Sequence, residues 1–109
     1  MSAPKKSYDL DVEIPDNLEP KRVAAAVERA SKAAGVFISH IGGYSRKKYP
    51  NSVHWHFKRD KKEKGVIDAT YWDVGNRLWL MIRYAEPDWV HDVAPRLRAE
   101  LEKQLQALA

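Results

Sequence analysis

The sequence has no cysteine, which excludes structural disulfides, thiolate metal sites and cysteine nucleophiles. Small secreted domains often depend on such bridges, so the expected compartment is a reducing one, the cytoplasm. Long apolar runs are missing as well: no stretch approaches the ~20 residues that span a bilayer. Residues 1–7 hold no apolar core of the kind a signal peptide needs, and read instead as a disordered arm. There is no G-x-x-x-x-G-K-S/T phosphate loop and no G-x-S-x-G nucleophile turn. No paired carboxylates share a helix face beside a cleft signal. The expectation is a non-enzymatic protein without a cofactor or a membrane partner.

What remains is a chain of 109 residues, 44% apolar and 31% charged. That length suits a single core, expected over residues 8–109, and buries roughly 65% of the unfolded surface. The net charge is +4, but it is unevenly placed. Residues 44–64 hold eight basic side chains against two acidic ones, a local +6 that leaves −2 for the rest of the chain. The basic character therefore belongs to a patch.

Tyr8, Leu10, Val12 and Ile14 alternate with Asp9, Asp11 and Glu13, the pattern of a half-buried antiparallel strand that Pro15 ends. Asp16 followed by Glu19 predicts a capping box, and Pro20 suits a first helical turn. Val23, Val27, Ala30 and Ala34 then form an apolar stripe up to Gly35. Four strands follow as a meander: 36–41, closed by Gly42 and Gly43, then 52–58, 66–72 and 77–84. The turn Asp73 to Asn76 offers Gly75 and Asn76 for left-handed backbone angles. A second helix after Pro87 carries Val90, Val93, Leu97, Leu101, Leu105 and Leu108 at steps of three and four. Pro95 within it predicts a kink or a break. The order β-α-β-β-β-β-α gives an α+β fold, an antiparallel sheet with two helices on one face.

Hairpin parity sorts the sheet residues. Pairing Trp72 with Arg77 puts Ile67, Ala69, Tyr71, Leu78, Leu80 and Ile82 on the helix side, and Val53, Trp55 and Phe57 join them. The other face then carries Trp72, Trp79 and Met81 among Arg77, Arg83, His54, His56 and Lys58. Two tryptophans there have two explanations. Either the chain covers them itself, with the arm, the 43–51 loop or the C-terminal end, or they form a binding platform.

His54 and His56 share a strand face about 6.5–7 Å apart. With Asp68 they match the residue types of a two-histidine, one-carboxylate metal site. Two ligands at i, i+2 are a weak signal, so the expectation is two ordinary half-exposed histidines and no metal.

These features predict a binding domain for RNA or single-stranded DNA. Trp72 and Trp79 stack bases in this reading, and Arg77, Arg83, Lys58, Arg46, Lys47 and Lys48 meet phosphates, with His54 and His56 beside them. The alternative is a protein-interaction or self-association module on the same face, with tryptophan anchors and an arginine rim.

Overall fold

Alternation of apolar and polar residues builds a sheet with one buried face, and the computed structural model, which describes residues 5–44 and 49–109, has that sheet at its centre. Its elements are β1 (Ser7–Val12), α1 (Pro20–Ala33), β2 (Phe37–Tyr44), β3 (Ser52–Lys58), β4 (Ile67–Trp72), β5 (Arg77–Arg83) and α2 (Asp88–Gln106). The five strands lie in the order β1-β5-β4-β3-β2, antiparallel throughout. β1 and β2 thus form opposite edges, and α1 carries the chain between them. This is the α+β fold read from the sequence.

The hairpin register is the expected one, with Trp72 opposite Arg77 and Thr70 opposite Trp79. Phe57, Ile67, Leu78, Leu80 and Ile82 are fully buried toward the helices. They meet Val23, Ala26, Val27 and Ala30 of α1 and Val90, Leu97, Leu101 and Leu105 of α2. Each large aliphatic side chain buried this way contributes roughly 1.5–3 kcal/mol. The small side chains of α1 also let it pack directly against α2.

Four local expectations change. No capping box forms at Asp16. Pro20 restricts the residue before it to extended backbone, so Glu19 becomes the N-cap, without a side-chain cap bond. Asp16 instead accepts a hydrogen bond from Asn76 Nδ2 at 3.0 Å. β2 does not stop at the glycines but runs through them to Tyr44. Gly42 lies opposite His54, and a Cβ there would stand 3.1 Å from His40 Nε2, so glycine leaves room for that ring. Pro95 does not break α2, which is continuous. The ring sits on the exposed side, while Val93, Ala94 and Leu97 around it are buried, so packing outweighs the one lost backbone bond. Finally, Lys6 and Ser7 are not part of a free arm: Ser7 opens β1, and the Lys6 carbonyl accepts from the Tyr84 N–H at 3.0 Å.

At the β4–β5 turn only Asn76 takes a left-handed angle, φ 48°. Gly75 is required for a different reason. A Cβ at that position would lie 2.3 Å from the Trp72 ring, which folds back over the turn.

Candidate functional site

The sheet face away from the helices is organised in rows that cross the strands. Pairing aligns His40, His56, Asp68, Met81 and Asp9 in one row, and Gly42, His54, Thr70, Trp79 and Asp11 in the next. The face divides into an aromatic end and a histidine end.

At the aromatic end the chain covers its own tryptophans. Tyr49, three residues before β3, places its ring centroid 5.0 Å from that of Trp79 and 5.2 Å from that of Trp72. The Arg77 guanidinium lies 4.3 Å from the Trp79 ring centroid. It donates to Tyr49 Oη at 3.2 Å and to Asp11 Oδ1 at 3.1 Å. Trp79 is left only 8% exposed, and Trp72 is half-buried. Of the two explanations for the outer tryptophans, self-coverage therefore describes Trp79. Among the described residues, Ser52 Oγ and Trp72 Nε1 are buried without a hydrogen-bond partner.

The histidine end departs furthest from expectation. His54 is buried rather than half-exposed. Its Nδ1 is 3.2 Å from Thr70 Oγ1, and its Nε2 is 2.8 Å from His56 Nε2. Asp68, only 2% exposed, stands directly across from His56, with Oδ1 3.2 Å from His56 Nε2 and 4.0 Å from His54 Nε2. Arg83 Nη2 holds the other carboxylate oxygen at 3.0 Å, and Arg83 Nη1 reaches Glu86 at 3.5 Å. His40 is exposed at the rim, its ring centroid 5.2 Å from that of His56. Burial holds the His54 imidazole below its ordinary pKa, opposed by Asp68 and assisted by His56, His40 and Arg83. Two imidazole nitrogens and one carboxylate oxygen thus gather within 4.8 Å, a donor set able to hold a cation.

The remaining basic residues lie at the margins. Lys58 Nζ donates to the Gly65 carbonyl at 3.4 Å, and Arg59 pairs with Glu63 in the β3–β4 connection. Arg46, Lys47 and Lys48 lie outside the described residues. The sequence reading missed Tyr49, Thr70 and His40. Tyr49 is in a loop without periodicity, and the parity of His40 is blurred by a register shift between Ile38 and His40. Thr70 is a plain strand residue until pairing sets it against His54. No helix among the described residues is long and apolar enough to cross a membrane. Compared with protein-family models, with curated proteins and with solved structures, the chain matches none of them.

Proposed function

We propose that the chain is a non-enzymatic binding domain that takes single-stranded nucleic acid, RNA or DNA, along β3 on the outer sheet face. The observation that supports this most is where the local charge falls. In the sequence Arg46, Lys47 and Lys48 stand a few residues before β3, while Lys58 closes the strand and Arg59, Lys61, Lys62 and Lys64 follow it. The strand's seven residues set its two ends about 20 Å apart. A polyanion lying along β3 meets positive charge at the Lys58 end, with aromatic and imidazole rings along its path.

In this reading the stacking roles shift. Tyr49 and Trp72 are the accessible rings, and Trp79 supports Tyr49 from below. Arg77 and Arg83 are already paired with Asp11 and Asp68, so phosphate contact falls chiefly to the lysines and Arg46. His54 and His56 border the strand's path and offer imidazole edges.

Tryptophan fluorescence titration with short oligonucleotides at two salt concentrations tests the reading, beside size exclusion at several protein concentrations. Saturable, salt-sensitive binding supports it. No binding even at low salt, together with a dimer that the Trp79→Ala variant turns into monomer, transfers the face to the protein-interaction alternative.

A further inference from the structure

We propose that His54, His56 and Asp68 form a binding site for one divalent transition-metal ion, zinc or a similar first-row cation, with a remaining coordination position open to solvent beside His40. This site stands whether or not the face takes nucleic acid.

Spacing is the first argument. A tetrahedral ion about 2.05 Å from each of its ligands sets them about 3.3 Å apart. The three candidate atoms are separated by 2.8, 3.2 and 4.0 Å, a triangle that brackets this edge length. Small side-chain rotations make it regular.

Asp68 Oδ1 supplies an independent argument. It is buried, on a residue 2% exposed, and accepts no hydrogen bond among the described residues, although two imidazole nitrogens face it within 4.0 Å. A buried carboxylate oxygen left in this state is costly. A cation between it and the imidazoles removes the cost and separates two Nε2 atoms that otherwise point at one another. Its partner oxygen cannot turn to help, because Arg83 holds it.

The groups behind the ligands suit the same purpose. With Thr70 Oγ1 accepting from the His54 Nδ1–H, the lone pair of Nε2 faces the site. Arg83 orients the carboxylate so that Oδ1 points inward. Access is from the outer face, where the His56 side chain is 35% exposed and His40 is at the rim. His40 flanks this opening, its ring centroid 5.2 Å from that of His56.

Isothermal titration of the full 109-residue chain, stripped with a chelator and titrated with zinc chloride, tests the assignment. The expected result is one ion per chain and a melting temperature that rises with zinc concentration by mass action. His56→Ala removes a half-exposed ring without opening the core and should weaken binding at least ~10-fold. Thr70→Val keeps the side-chain shape and should weaken it about 10- to 100-fold through the lost orienting bond. His91→Ala, on α2 and outside the ligand cluster, should bind zinc as the parent does. Circular dichroism confirms that each variant is folded. Absence of saturable binding overturns the proposal, as does one-to-one binding that a folded His56→Ala variant retains in full.

Discussion

His56 and Asp68 face each other across β3 and β4, with Nε2 3.2 Å from Oδ1. Neither the alternation within β3 nor that within β4 sets this distance. It depends on the register of the two strands, which also brings Trp55 opposite Ala69 on the core side and His54 opposite Thr70 on the outer one. The same pairing that closes the core therefore assembles the histidine cluster.

Replacing Leu80 with alanine should cost on the order of 3 kcal/mol, because the side chain is fully buried between sheet and helices. Trp55→Ala, also on the core face, should cost a comparable amount. Urea denaturation followed by circular dichroism measures both. Losses below about 0.5 kcal/mol at both positions would contradict the assignment of the core face, given the usual cost of such truncations.

Gly75→Ala should destabilise the protein by about 1–3 kcal/mol, the usual cost of forcing extra volume into filled space. The new methyl would meet the Trp72 ring at 2.3 Å, so the indole must move. Tryptophan emission should shift along with the denaturation midpoint. An unchanged spectrum and midpoint would show that the ring does not rest on the turn.

Acid should weaken the metal-free protein through His54. Burial lowers its folded pKa below the unfolded value of about 6.5. Between those two values the unfolded chain binds more protons than the folded one, so stability falls as the pH drops below about 6.5 and levels off once folded His54 is protonated. Melting temperatures in chelator from about pH 8 to about pH 5 trace this. His54→Gln should flatten that part of the curve. A parent profile without slope there would contradict the role of His54.

Salt should weaken oligonucleotide binding with a slope of log K against log salt near −3 to −4, for about four to six phosphate contacts on a single strand. Replacing Lys47 and Lys48 should flatten the slope. Tyr49→Ala should cost roughly 1–3 kcal/mol of affinity at nearly constant slope, because stacking carries no charge. Trp79→Ala should act in the same direction by removing the support beneath Tyr49. A slope near zero with intact affinity would exclude a phosphate-led mode.

The sequence alone determined the order of elements, the two faces of β3, β4 and β5, and the local concentration of positive charge. Alternation and helical periodicity are local properties, and a hairpin as short as that between Trp72 and Arg77 carries parity from one strand to the next. Tertiary structure decided what the outer face became. Tyr49 has no periodic signal, and only the folded chain places its ring over Trp79. Asp68 was legible beside His54 and His56 as a residue type, but only strand register sets it against His56, with Arg83 behind it. Register and loop placement are long-range outcomes of packing, in which a shift of one residue moves every side chain to the other face. For that reason the charge patch was legible in the order of residues, whereas the histidine cluster was legible only as three residue types whose register stayed open.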